Sequence, residues 1–148
     1  MQVVLYFCFV KKKKIEYRSD CPISIALDIF GDKWSLLIIR DMVFKGMNTY
    51  GGFLSGGEKI ATNILADRLM MLEASDIIAK QKHPESKAKI LYTLTPKGIS
   101  LVPVLVEIIA WSEKHHEVHP LAIQFAKTLR KNKETVVKQI ISSLKKGK

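Results

Sequence analysis

Apolar residues recur at helical spacing along most of the chain, and the period changes once, near residue 76. Pro22 is pre-set for the first position of a helix and Gly31 is a natural stop, which predicts a short helix over 22–30. Asp32 then caps a second helix, roughly 33–45, ending at Gly46. Trp34, Leu37, Ile38, Met42 and Phe44 recur along it and make it a core helix. Five glycines (46, 51, 52, 56 and 57) weaken the next stretch, where at most a short helix near 49–55 is expected. From residue 62 the pattern sharpens. Ile64, Leu65, Leu69 and Leu72 share one face of a helix over 62–73, while Thr62, Asn63, Ala66, Asp67 and Met70 share the other.

Beyond Ser75-Asp76 the period becomes 2, giving strands at 77–82 and 89–95, the second alternating Ile90, Tyr92 and Leu94 with polar residues. Residues 83–88 turn between them, so the pair is a hairpin with a basic tip. Pro96 opens a helix of about 97–117 that is apolar nearly all round: Ile99, Leu101, Val102, Val104, Leu105, Ile108, Ile109 and Trp111. A helix apolar on all sides must be buried on all sides, and in a chain this small that points to a subunit interface. A last helix, about 121–145, is amphipathic through Leu121, Phe125, Leu129, Val136, Val137, Ile140 and Leu144. It fits packing against the 97–117 helix or a partner subunit better than lying on a membrane surface.

Charge then narrows the function. The 148 residues carry a formal net charge of +10, with a pI near 9.6. Such a surplus favours anionic partners, nucleic acid first. Residues 1–74 hold 10 Lys/Arg against 8 Asp/Glu, whereas residues 75–148 hold 14 against 6. The second half therefore supplies most of the long-range attraction. Two cysteines, Cys8 and Cys21, fit a reduced, cytoplasmic protein and not a disulfide scaffold. Val3–Val10 is too short to span a bilayer and lacks the flanks of a signal peptide. It reads as an edge strand, a partner-binding segment or the product of an upstream start, the last being preferred.

Helices followed by a polar-faced helix and a basic hairpin are the order of a winged helix, and the residues match a family. Residues 21–23 (Cys-Pro-Ile) with Ala26-Leu27 come first, followed by the run from Gly31-Asp32-Lys33-Trp34 to Arg40. Residues 60–69, Leu72-Glu73 and Tyr92-Thr93-Leu94-Thr95-Pro96-Lys97-Gly98 complete the set. In order and spacing the chain resembles the HxlR-type transcription regulators, relatives of the MarR group, over about residues 20–115. The resemblance implies an α+β fold, a mainly helical winged helix-turn-helix with a two-stranded hairpin wing and additional dimerisation helices. It divides the chain into an N-terminal extension (1–19), a DNA-binding domain (20–118) and a C-terminal amphipathic helix (119–148) associated with the dimer. Three departures stand out: Asp76 where the family has Gly, Ala61 where it has a capping Ser, and Gly51-Gly52 in the preceding helix. Asp tolerates the left-handed backbone better than most residues, and Thr62 is expected to take over the cap.

In that architecture the helix over 62–73 enters the major groove. Asn63 can pair with an adenine edge, Thr62 with a phosphate, and Ala66 with a thymine methyl. Asp67 either accepts from cytosine or pairs with a cation such as Arg68, and Arg68 is either a DNA contact or a structural ion-pairing residue. The wing carries Lys80, Lys82, His83, Lys87 and Lys89, of which the tip (Lys82, His83 and Lys87, flanked by Lys89) suits the phosphate backbone. The expected partners are double-stranded DNA with a pseudo-palindromic operator and a second copy of the chain, through Leu101, Leu105, Ile108, Ile109, Trp111, Leu121 and Phe125. The family commonly places a cysteine where Cys21 stands, which implies a redox- or electrophile-sensing role that Cys8 could assist as a resolving thiol. The competing reading is a winged helix that binds protein without DNA. No enzyme, cofactor or metal is expected. His115, His116 and His119 with Glu113 and Glu117 read as a solvated helix end, and Gly56-Gly57-Glu58-Lys59 lacks P-loop spacing.

Overall fold

A computed structural model describes residues 15–147. The elements run α1 (Pro22–Phe30), α2 (Ser35–Phe44), α3 (Tyr50–Leu54), α4 (Thr62–Ala74), β1 (Ile78–His83), β2 (Ser86–Leu94), α5 (Pro96–Ile99), α6 (Val102–His115) and α7 (Pro120–Lys146). The Val3–Val10 segment and Cys8 lie outside the described residues. The strands form one antiparallel sheet with Ile78 opposite Leu94, Lys80 opposite Tyr92 and Lys82 opposite Ile90.

One core serves α2, α3, α4 and the root of the sheet. Ile38, Ile39, Met42, Phe53, Leu65, Leu69, Leu72, Ile77, Ile78, Tyr92 and Leu94 meet there, all buried. Burying apolar area contributes roughly 25 cal/mol per Å², so these side chains fix how α4 sits on the body. A smaller cluster of Val102, Val106 and Leu129 joins α6 to α7, bordered by Phe125, Val136, Val137 and Ile140. Phe125 also packs edge-on against Phe44, with ring centroids 5.8 Å apart.

The elements depart from the sequence reading in five places, each with a cause. Helix α2 starts at Ser35 because Asp32 first caps a turn, accepting from the Trp34 and Ser35 N–H groups at 2.8 and 2.9 Å. The hairpin is longer and tighter than expected: His83 pairs with Ser86 after a register shift, leaving a short turn in place of a six-residue loop. The expected 97–117 helix is two helices, since Pro103 has no N–H to donate to the Ile99 carbonyl one turn back. The C-terminal helix is likewise broken at Asn132 (φ −159°, ψ 77°), whose side chain accepts from the Thr135 N–H at 3.1 Å and caps the second segment. The fifth concerns Thr62: it is the first residue of α4 and makes no capping bond, and Ala61 occupies the cap position.

Two other expectations match the backbone. Asp76 adopts φ +60° where the family has Gly, and Gly46 adopts φ +64° just past the end of α2. Helix α3 survives its two glycines because Thr49 caps it, accepting from the Gly52 N–H at 3.1 Å.

Candidate nucleic-acid interface

Helix α4 buries Leu65, Leu69 and Leu72 and half-buries Ile64, which turns Thr62, Asn63, Ala66, Asp67 and Met70 outward. The exposed face begins at the helix N-terminus, where unpaired backbone N–H groups also attract anions. Asp32, Trp34, Asn63, Ile64, Asp67 and Arg68 border a shallow recess of about 370 Å³ there.

Arg68 is held by carboxylates. Its guanidinium pairs with Asp67 and reaches Asp32 at 3.3 Å, so it straps α4 to the start of α2. Of the two readings open for Arg68 and Asp67, the geometry contains the ion pair. Burial works against ionisation of Asp32, but bonds from the Ser35 hydroxyl, two backbone N–H groups and the charge of Arg68 together hold its carboxyl below the usual range. Arg68 in turn is held cationic, first by its bond to Asp67.

The turn leading into α4 is fastened from α2. Arg40 bonds Asp41 and Glu58, each at 2.8 Å, while Lys45 reaches the buried Asp41 at 3.1 Å. Tyr50 of α3 donates its hydroxyl to the Thr62 carbonyl at 2.8 Å. The sequence reading missed this scaffold; its only signal was a pair of adjacent opposite charges on a core helix.

The wing is anchored at its root and charged at its tip. Lys80 pairs with Glu73 of α4 at 3.0 Å, and Lys97 donates to the Ser75 carbonyl at 2.9 Å. Lys80 is therefore a brace between the wing and α4. Lys82, Lys87 and Lys89 are exposed, and among the described residues none has a carboxylate within ion-pair distance. His83 is half-buried, and its Nδ1 accepts the Glu85 N–H at 3.1 Å, so it shapes the turn as well as lining the tip. A cleft of about 500 Å³ separates the wing's outer edge at Ala88, Lys89 and Ile90 from α3.

The face expected at a dimer interface is only partly available. Ile108, Trp111 and Leu121 are 42, 60 and 69% exposed, joined by Val104, but Leu105 is 6% exposed and belongs to the protomer's own core. Phe125 is half-buried against Phe44, and Leu101 and Ile109 are half-buried as well. The break at Ser100-Leu101 rotates α6 so that its stripe of Val102, Leu105 and Val106 faces inward. Near its C-terminal end, His115 and His116 lie against Trp111 with ring centroids 5.3 and 5.5 Å away. His119 caps α7 by accepting the Leu121 N–H. Cys21 is exposed at the position preceding α1.

The model of the HxlR-like helix-turn-helix family matches residues 29–120, well over half of the chain. This chain belongs to the HxlR-like family. It is a transcription regulator of the helix-turn-helix type, and the α4-hairpin unit is the winged helix-turn-helix of this family. Among its relatives, the HTH-type transcriptional regulator YodB of Bacillus subtilis is 34% identical over 98 residues, 66% of this chain and 87% of YodB. The HTH-type regulator sll1512 of Synechocystis is 36% identical over 86 residues, 58% of this chain and 63% of that protein, so the match spans less than two thirds of that relative. Among solved structures, reduced YodB superposes with a TM-score of 0.55 at 33% identity, covering 67% of this chain and 97% of YodB. The oxidised form of the redox regulator HypR gives 0.59 at 28% identity, covering 66% of this chain and all of HypR. Among the described residues no helix is long and apolar enough to cross a membrane.

Proposed function

We propose that this HxlR-like regulator binds a pseudo-palindromic DNA operator as a homodimer. Helix α4 lies in the major groove and the wing tip lies on the flanking phosphates. The observation that carries this reading is the split of α4: its leucines are buried while Thr62, Asn63, Ala66 and Asp67 face outward beside an unpaired lysine edge. Asn63 reads an adenine edge, a pairing that discriminates by roughly 1–3 kcal/mol. Thr62 meets a phosphate, and Ala66 a thymine methyl. Arg68, held by Asp32 and Asp67, neutralises the acidic neighbour and sets the helix angle. Lys82, Lys87, Lys89 and His83 add affinity without sequence preference. The second subunit docks through Ile108, Trp111 and Leu121, the large apolar side chains that α6 and α7 leave exposed, flanked by the half-buried Leu101, Ile109 and Phe125.

A gel-shift titration of the purified chain against the DNA upstream of its own gene tests the reading. A dimer neutralising about six to ten phosphates loses roughly 10³–10⁵ in affinity between about 50 and 200 mM salt. A flat salt response, or no retardation at low salt, contradicts it.

Sensing is the finer part of the same proposal. Cys21 senses oxidants or electrophiles, supported by its exposure at the start of α1 and by relatives solved in reduced, oxidised and diamide-treated forms. The expected result is a diamide-induced change in DNA affinity that Cys21→Ser abolishes. An unchanged wild-type affinity sinks it.

A further inference from the structure

The positive charge of the chain is not on the winged helix. Residues 29–120, matched by the family, hold 11 Lys/Arg against 10 Asp/Glu, a net of +1. Residues 121–148, beyond that match, hold 8 Lys/Arg against a single Glu, a net of +7 out of the chain's +10. Helix α7 (Pro120–Lys146) carries 7 of those 8 cations and the Glu, a net of +6.

Its cations fall into two groups. Arg130, Lys133 and Lys138 are tied to Glu113, Glu107 and Glu134 at 2.5–2.6 Å, which clamps α7 to α6 and to itself. Lys127, Lys131, Lys145 and Lys146 are exposed and have no carboxylate within ion-pair distance among the described residues. The break at Asn132 redirects the helix so that Ile141 and Leu144 pack onto the core that carries α4 and the sheet. Ser143, Leu144 and Gly147 border a recess of about 190 Å³ together with Asn48, Tyr92 and Thr93. Tyr92 is itself held there, its N–H donating to the Asn48 carbonyl at 2.8 Å. The C-terminal end of α7 thus runs beside the root of the wing, with Lys145 and Lys146 exposed on the side of the helix away from that recess. Lys89 lies three strand residues, about 10 Å, further along β2 from Tyr92.

We infer that the C-terminal end of α7 is a second, sequence-independent phosphate-binding element, in which Lys145 and Lys146 continue the wing's basic edge onto the duplex flanking the operator. Rows of flexible lysines match regularly spaced phosphates and read no bases. The inference rests on the DNA-binding reading above. A simpler role for the same lysines is to complement the helix C-terminal dipole, a contribution independent of any ligand.

The test uses the full chain carrying Lys145→Gln and Lys146→Gln, with Lys145→Arg and Lys146→Arg as the charge-retaining control. Salt dependence of binding is measured on a long operator duplex and on one trimmed to the winged-helix footprint. Loss of four phosphate contacts per dimer lowers the slope of log affinity against log salt by about 3–4 on the long duplex. On the trimmed duplex the slope stays as in wild type, and the Arg variant matches wild type on both. Circular dichroism confirms that the Gln variant is folded. Equal slopes for wild type and the Gln variant on the long duplex overturn the inference, as does an equal loss on both duplexes. Loss confined to binding of phosphatidylglycerol vesicles would assign these cations to a membrane surface and also overturn it. Failure of wild type to bind either duplex rejects the DNA reading itself.

Discussion

Replacing Thr95 by valine removes one hydroxyl and almost nothing else, yet that hydroxyl joins three stretches of backbone. Its oxygen accepts the buried Gly98 N–H at 3.0 Å and so caps α5. Its hydrogen is directed at the Asp76 carbonyl at 2.5 Å, with the Ile77 carbonyl at 3.1 Å also in range. Asp76 is the residue held at φ +60°, so the hydroxyl pins the left-handed turn through which α4 enters the wing. Valine keeps the shape but leaves the buried Gly98 N–H without its cap, roughly 1–3 kcal/mol, and removes the bond to the Asp76 carbonyl, about 1 kcal/mol. The sum is about 2–4 kcal/mol. For a chain of this size each kcal/mol shifts the melting midpoint by roughly 2–4 °C, so a fall of about 4–16 °C is expected. Thermal denaturation followed by circular dichroism measures it, with Thr95→Ser as the variant that keeps the hydroxyl and falls by less than half as much. A valine variant melting with wild type, or a serine variant melting as low as valine, refutes the argument.

Gly98→Ala should be at least as damaging, because a Cβ there would stand 2.1 Å from the Ile77 carbonyl oxygen, and backbone must move to admit it. Overpacking of this kind costs about 1–3 kcal/mol or more, and a melting midpoint within about 2 °C of wild type would show the strand root to be pliant. Asp32 gives a pH signature. Its folded pKa lies below the ordinary 3.8, so the stability it confers is complete above that value and is lost as pH falls through the lowered one. Asp32→Asn should therefore flatten the acid limb of a melting-against-pH curve, and an unaltered limb would contradict the assignment. Changing Lys82, Lys87 and Lys89 together to Gln should lower the salt slope of a dimer by about 5, as six phosphate contacts require, while sparing the preference for operator over random DNA. A lost preference with an intact slope would reverse the division of labour between wing and α4.

The parts of this molecule legible in the sequence were those written as periodicity. The leucine face of α4 and, within the alternation Ile90, Tyr92, Leu94, the last two place buried and exposed sides where the structure has them, whereas Ile90, out along the hairpin beyond the core, is 45% exposed. The basic tip of the hairpin was equally plain. Breaks in helices were harder, because they depend on single groups: the missing N–H of Pro103, and the side chain of Asn132 bonding back to its own helix. The all-round apolar pattern of residues 97–117 does not show the break at Ser100-Leu101, which sends Leu105 inward and leaves Val104, Ile108 and Trp111 out. Of the ion pairs that orient α4, the neighbouring Asp67–Arg68 pair was legible and the long-range ones were not. Arg68 meets Asp32, 36 positions away along the chain, and Arg40 meets Glu58 across a glycine-rich turn. Such pairs carry no local pattern. Charge counted by halves of the chain pointed to residues 75–148, and counting by segment places most of that surplus on residues 121–148.

Directed cleavage of DNA from α4 tests the central claim most directly. With Cys8 and Cys21 changed to serine, Ala66→Cys carries an iron chelate that cuts nearby strands. The account predicts cuts clustered in the major groove of two half-sites about one helical turn, or a multiple of it, apart. A bound complex in which position 66 cuts nowhere, or cuts without regard to sequence, would mean that α4 does not enter the groove.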